Sequence, residues 1–281
     1  VNDAFRFPGA VPTRTRVSGR VSITYSRLKS PWLVHGTVVF KDPGYESRDS
    51  SWRRLVKDFV MADIGPAPRK VVIPVQVHAS KVMRVGAGIR HDTVETGGPE
   101  APAGDEGSVY APACDGLVTS DCGIVIGVNT ADCIPLMAVN ESARVIGVAH
   151  CGWRGISAGI VENLLKELDS LAGADSRGAA RFLIGPSVGA CCYEVGADFL
   201  GSFSELEVRE CSVTEDGLEA GGRTAFDLRR LVGMRLVNAG IDRDSVFTDN
   251  TCTSCQSDAL SSYRAEGEAC GRMYTYLMIT G

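Results

Sequence analysis

At 281 residues the chain can form one large domain or two small ones, and it can bury a core without metal or disulfide staples. Hydrophobic residues make up 44% and charged residues 22%, with 29 basic against 34 acidic, and the resulting −5 argues against a general electrostatic grip on nucleic acid. No apolar run approaches the length of a membrane span, and four histidines beside ten cysteines exclude chemistry that needs many imidazoles.

The chain starts basic. No acidic residue lies between Asp3 and Asp42, while Arg6, Arg14, Arg16, Arg20, Arg27, Lys29 and Lys41 are all cationic. Such a composition suits an organelle transit peptide. Residues 21–25 and 32–40 nevertheless carry strand pattern, which a removed presequence would not normally do. The expectation is a cytoplasmic protein of one domain over 1–281, with residues 1–30 as an N-terminal extension whose order is left open.

Residues 71–78 (VVIPVQVH) are short and β-branched, a strand. Over 86–114 the pattern dissolves: Gly97, Gly98, Pro99, Pro102, Gly104 and Gly107 alternate with acidic residues, predicting a flexible insertion or lid. Residues 123–130 and 144–150 are almost wholly apolar, so these two strands should be buried on both faces. After Gly155, Ile156, Ile160, Leu164, Leu165, Leu168 and Leu171 recur at helical spacing until Gly173. Residues 181–184 form a short strand, Asp227 caps a second helix, and 273–279 closes the chain as a strand. Helices thus alternate with buried strands, which predicts a mixed α/β layered (α+β) domain.

The ten cysteines are too sparse for a stapled secreted domain, and several sit in apolar strands as small hydrophobes, so a reducing compartment is expected. Cys252 and Cys255 have zinc-knuckle spacing, but no partner pair is evident and packing is expected. Cys191 and Cys192 follow a glycine-rich turn and could line a pocket; no chemistry is assigned to them.

Chemistry gathers where the strands stop. His78 ends one, Cys133 follows another, and His150 ends a third. Two imidazoles and one thiolate can make a three-ligand zinc site with an open fourth position, the arrangement that activates water at neutral pH. Asp132 adjoins Cys133, and Gly152 and Gly155 flank Trp153 and Arg154, a density of polar and small residues that packing alone would not call for. His91 falls in the expected insertion, and His35 sits in a strand without polar company. Both are weaker candidates.

Eight segments occur in order: QVH (76–78), DGLVT (115–119), TADCIP (130–135), AHCGWRG (149–155), IGPSVG (184–189), CYEVG (192–196), SYR (262–264) and GR (271–272). Over about residues 71–280 the chain resembles the laccase-domain family, formerly described as multicopper polyphenol oxidases. Members of that family are associated with purine nucleoside phosphorylase and adenosine deaminase activity, and one branch with peptidoglycan editing. The resemblance implies that His78, Cys133 and His150 are zinc-binding and catalytic. It also implies a four-layered α-β-β-α fold similar to a group of cysteine hydrolases. Three features depart from the family pattern. Residues 36–41 lack its arginine, Ala265 stands where a second arginine is usual, and the 86–114 excursion is long. Lys41 or Arg53 could replace a missing phosphate contact, without the bidentate fork of arginine.

The expected function is therefore a zinc-dependent purine nucleoside enzyme, performing phosphorolysis of adenosine or inosine, deamination of adenosine, or both. Asp132 would orient a ligand or move a proton, and Arg154 and Arg264 would bind phosphate. A multicopper centre needs more than four imidazoles, and one copper in a His₂Cys site would suit electron transfer. Two other classes are weighed. Cys133 could be a thiolate nucleophile with His150 as base and Asp132 as orienter, giving an amide hydrolase of the peptidoglycan-editing kind. A scaffold protein with a vestigial pocket is the third. The expected partners are a small nucleoside and phosphate, with no nucleic acid and no membrane; oligomeric state is not legible.

Overall fold

Strand pairing begins inside the basic N-terminal stretch. The computed structural model describes residues 7–17, 19–41, 50–63, 68–86, 108–213 and 223–281. Strands β1 (Pro12–Val17), β2 (Arg20–Tyr25) and β3 (Leu33–Phe40) precede helix α1 (Ser50–Asp63), and β4 (Lys70–Val75) and β5 (Val82–Arg84) follow it. Next come β6 (Ser108–Ala113), β7 (Gly116–Thr119), β8 (Ile124–Thr130), β9 (Ile134–Asn140) and β10 (Val145–Cys151). Helices α2 (Trp153–Ser157) and α3 (Ile160–Ala172) lead to β11 (Ala180–Ile184) and β12 (Glu194–Val195). After α4 (Ala197–Leu200) and α5 (Glu205–Cys211) the chain forms β13 (Ser212–Val213), β14 (Thr224–Phe226) and α6 (Leu228–Asn238). It ends with β15 (Val246–Thr248), α7 (Tyr263–Glu266) and β16 (Arg272–Ile279).

Among the described residues two large mixed sheets form, ordered β1-β2-β3-β16-β8-β4-β6 and β15-β11-β9-β10-β7-β5. Alternating side chains explain why the central strands read as continuous apolar runs. Ile124, Ile126 and Val128 of β8 meet Met137, Val139, Ile146 and Val148 of β9 and β10 in a core between the sheets. On the outer side of the first sheet, Val125 joins Val56 and Val60 of α1. On the outer side of the second, Leu136, Ala138 and Val145 join Leu164 and Leu165 of α3 and Leu231 of α6. The layers run α-β-β-α, the mixed architecture expected from the sequence.

Some boundaries differ from the expected ones, each for a local reason. The helix predicted from Ile156 onward is two helices, because Gly159 adopts φ 92° between α2 and α3. Its end at Gly173 and the Asp227 cap of α6, whose carboxylate accepts the Arg230 amide, agree with the sequence. The 86–114 excursion ends in a strand: β6 pairs with β4 in parallel, and Pro112 falls at the register shift. A proline lacks the ladder donor, so a shift is where a strand tolerates it. Residues 87–107, including His91, lie outside the described residues. Within residues 1–30, β1 and β2 pair over their whole length and extend the first sheet. No helix among the described residues is long and apolar enough to cross a membrane.

Candidate metal centre

β4 stops at Val75 and does not carry on to His78 as the apolar pattern suggested. The Gln76 side chain takes over the pairing, donating to the Asn129 carbonyl and accepting from the Asn129 amide, both at 2.7 Å. The next three amides, of Val77, His78 and Ala79, all donate to the Asp115 carboxylate, at 3.1, 2.9 and 2.8 Å. Wrapping three amides around one carboxylate bends the chain and holds His78 at φ 61°, a left-handed conformation rare outside glycine.

Asp115 is fully buried at the start of β7, and it also faces β10. Its Oδ1 lies 2.8 Å from His150 Nδ1, and its main-chain carbonyl accepts the His150 amide at 2.7 Å. One residue therefore fixes both histidines. Cys133 arrives from the tight β8–β9 connection, where Asp132 adopts φ 85°. The rings of His78 and His150 meet edge to face with centroids 4.7 Å apart. The ligand atoms of His78, Cys133 and His150 all lie within 4.8 Å of one another.

Gly152 closes the arrangement. A Cβ there would stand 3.2 Å from both Cys133 Sγ and His78 Cδ2, so glycine lets α2 begin against these side chains without pushing them apart. A Cβ on Gly155 would approach the Ala79 carbonyl to 2.8 Å, so the next turn is equally tight.

The electrostatics make a charged pair. Burial pushes the Cys133 thiol up, but the charge and hydrogen bond of His150, with those of His78, pull it below its ordinary value. Burial lowers His150, and the Cys133 charge and the Asp115 hydrogen bond more than reverse this, raising it. Burial raises the Asp115 carboxyl, yet hydrogen bonds from His150, Ala79 and Val77 bring it below the usual carboxylate range. With Nδ1 engaged by Asp115, an ion would take the place of the proton on the other ring nitrogen of His150, leaving the thiolate and neutral imidazole that a borderline-soft ion such as zinc requires. The donor set fits.

The remaining predicted residues fall in three places. Asp132 does not face His150. Its Oδ1 accepts from Thr253 Oγ1 at 2.6 Å and Ser262 Oγ at 2.7 Å, and its Oδ2 from the Arg264 amide at 2.5 Å. The orienting carboxylate on His150 is Asp115, at the head of the DGLVT segment. Arg154 is exposed and lies over the Trp153 ring at 4.4 Å, while Arg264 is exposed over the Tyr193 ring at 5.4 Å. Burial and then the Cys133 charge push the Tyr193 hydroxyl up to about 12, with Arg264 and Arg154 opposing them. Tyr193 thus feels the Cys133 charge and both guanidinium groups, a coupling that sequence spacing does not reveal.

Lys41 is already engaged. Its Nζ donates to the Ser257 and Leu260 carbonyls at 2.6 and 3.1 Å and to Glu266 Oε1 at 2.6 Å. The Arg53 side chain lies outside the described residues. His35 is buried with Nε2 3.1 Å from both the amide nitrogen and the carbonyl oxygen of Tyr25, so its company is the main chain. The expected absence of a partner pair for Cys252 and Cys255 is corrected: Cys191 and Cys192 lie beside them, all four sulfurs within 4.8 Å of one another. Some 60 residues of folded chain separate the two pairs, which is why neither predicts the other.

A family model described as multi-copper polyphenol oxidoreductase laccase matches residues 51–280. The purine nucleoside phosphorylase YlmD of Geobacillus stearothermophilus is 31% identical over 176 residues, 59% of this chain and 60% of that protein. The adenosine deaminase RL5, from an unknown prokaryotic organism, is 31% identical over 205 residues, 73% of each chain. The crystal structure of YlmD from Geobacillus stearothermophilus superposes with a TM-score of 0.72 at 22% identity, covering 96% of this chain and all of that one, 100%.

Proposed function

The chain belongs to the multi-copper polyphenol oxidoreductase laccase family, and from that premise we propose that it is a zinc-dependent enzyme of purine nucleosides. The substrate class rests on relatives named purine nucleoside phosphorylase and adenosine deaminase. The observation that carries it to this chain is Tyr193, whose ring lies under the Arg264 guanidinium at 5.4 Å and whose hydroxyl feels the charges of Cys133, Arg264 and Arg154. A ring can stack a purine, and two exposed guanidinium groups can hold phosphate by paired hydrogen bonds.

In this reading His78, Cys133 and His150 hold the metal, which when bound would supply Lewis acidity and an activated water. Asp115 keeps the Nδ1 proton on His150 and so fixes the tautomer. Asp132 acts as a positioning residue, tying the Cys133 loop to Thr253, Ser262 and the Arg264 main chain. Zinc is favoured over copper by count: of four histidines, His35 is committed to Tyr25, too few imidazoles remaining for several copper ions.

A second reading keeps the same residues without metal. Cys133, His150 and Asp115 line up as nucleophile, base and orienter, with the thiol lowered and the imidazole raised, an arrangement suited to amide hydrolysis. Product analysis of adenosine incubated with and without phosphate decides. Adenine formed only with phosphate means phosphorolysis, and inosine in either case means deamination. An unchanged nucleoside, together with activity abolished by alkylating Cys133 in metal-free protein, selects the hydrolase.

A further inference from the structure

Ten cysteines are free among the described residues, and four of them converge away from the candidate centre. Cys191 and Cys192 lie on a single helical turn, Ala190–Cys192, and Cys252 and Cys255 on a tight turn after β15. Cys192 Sγ is 3.4 Å and Cys191 Sγ 3.6 Å from Cys255 Sγ, and all four sulfurs fall within a 4.8 Å span. Around one tetrahedral zinc, bonds of about 2.3 Å put sulfurs about 3.8 Å apart. The spacing is that of a single-ion coordination shell.

The surrounding main chain is arranged for the same purpose. The Gly189 amide donates to Cys252 Sγ at 3.2 Å, the kind of hydrogen bond that favours a thiolate. A Cβ on Gly189 would stand 3.1 Å from Cys191 Sγ and 3.2 Å from Cys252 Cβ, so this glycine lets the two turns meet. Ser187 and Cys252 form an isolated β-bridge, and the Thr253 amide donates to the Ser187 carbonyl at 3.0 Å, so the turns are brought together by backbone as well.

We propose that Cys191, Cys192, Cys252 and Cys255 form a second metal site, a closed tetrathiolate that binds one zinc ion structurally. Four soft ligands leave no open position, which separates it from the three-ligand centre. Its place in the fold gives it a task. Tyr193 directly follows Cys192, and Thr253, between the other two ligands, holds Asp132 beside Cys133. An ion there would staple together two walls of the candidate site.

The test uses full-length protein purified under reducing conditions without chelator. The Cys133→Ala variant, which disables the three-ligand centre, should retain one zinc per chain. Its X-ray absorption spectrum should fit four sulfurs at about 2.3 Å and no nitrogen. A Cys191→Ser/Cys255→Ser variant should lose that shell. If the double variant does not fold, the Cys133→Ala spectrum decides alone. Zinc-free Cys133→Ala protein, a shell containing nitrogen, or a disulfide between these cysteines in the fresh reduced protein would overturn the proposal. Because the sulfur shell is read in the absence of Cys133, failure of the nucleoside reading leaves this result unaffected.

Discussion

The candidate centre and the four-cysteine cluster are both sets of metal-capable ligands, yet they are built in opposite ways. His78, Cys133 and His150 come from the ends of buried strands, and a buried carboxylate, Asp115, holds two of them. Cys191, Cys192, Cys252 and Cys255 come from two surface turns, with Cys191 and Cys255 exposed, and no carboxylate is bonded to their sulfurs among the described contacts. The first is preorganised by the core and presents an unfilled position. The second is held by main-chain contacts between two turns, among them the Gly189 amide on Cys252 Sγ and the Ser187–Cys252 bridge. What separates them is the orienting group: a buried carboxylate for one, the main chain of two turns for the other.

The sharpest way to break that contrast is Asp115→Ala. It removes one partner of a buried pair and leaves the amides of Val77, His78 and Ala79 without acceptors. A loss of about 3–5 kcal/mol in denaturant-induced unfolding is expected. The milder Asp115→Asn should fold and bind zinc 10–100-fold more weakly at the three-ligand centre, roughly the range for outer-shell partners. Zinc retention by the cysteine cluster should not change. Equal weakening of both sites would show that they share one support.

This asymmetry also explains what the sequence discloses. The central strands β3, β4, β8, β10, β11 and β16 were legible because their apolar runs feed the cores, while β1, β5, β6, β7, β9 and β15 were not read as strands. His78, Cys133 and His150 were legible because each lies at or just past the end of an apolar run. Asp115 was present in DGLVT but carries no signal of its own, since an acidic residue at a strand start usually faces water. Its role appears only when β7 and β10 pair and bring it against His150. Asp132 drew attention by adjacency to Cys133, but its left-handed φ of 85° sends the carboxylate toward Thr253 and Ser262. The four-cysteine cluster depends wholly on tertiary contact between two turns, which no local pattern encodes.

Acid separates fold from site. Burial depresses His35 from 6.5 to about 4, against a smaller raising effect of its Tyr25 hydrogen bond. Above pH 6.5 the imidazole is neutral folded and unfolded, and it contributes nothing to the pH dependence. As pH falls from 6.5 toward 4 only the unfolded chain takes the proton, so stability should drop, by about 3 kcal/mol in total. His35→Gln should flatten that part of the stability-against-pH curve. Zinc release by either site is therefore best compared above pH 6.5, where this histidine is silent.

The two glycines make a matched pair. Gly152→Ala pushes a methyl against Cys133 and His78, and Gly189→Ala pushes one against Cys191 and Cys252. Each should cost about 1–3 kcal/mol of stability by overpacking. Metal loss should follow the site touched, with Gly152→Ala emptying the three-ligand centre and Gly189→Ala the cluster. Zinc stoichiometry after dialysis reads both.

The finest comparison asks whether the cluster acts on the centre at all. Arg264 rests on the Tyr193 ring and donates to the Glu194 carbonyl, and both residues follow directly from the Cys191–Cys192 turn. Arg154 rests on Trp153 in α2 and has no described contact with that turn. If phosphate lies between the two guanidinium groups, Arg154→Ala and Arg264→Ala should each raise KM for phosphate with little change in stability, about 0.5 kcal/mol or less for the exposed Arg154. Cys255→Ser, by loosening the wall that carries Tyr193, should raise the same KM. Combined with Arg264→Ala it should add little, because both act through one wall. Combined with Arg154→Ala the effects should come closer to multiplying, since Arg154 rests on Trp153 and reaches Tyr193 only through its charge. An unchanged KM in Cys255→Ser would leave the cluster as a structural staple with no grip on phosphate, and the two regions would then be neighbours only.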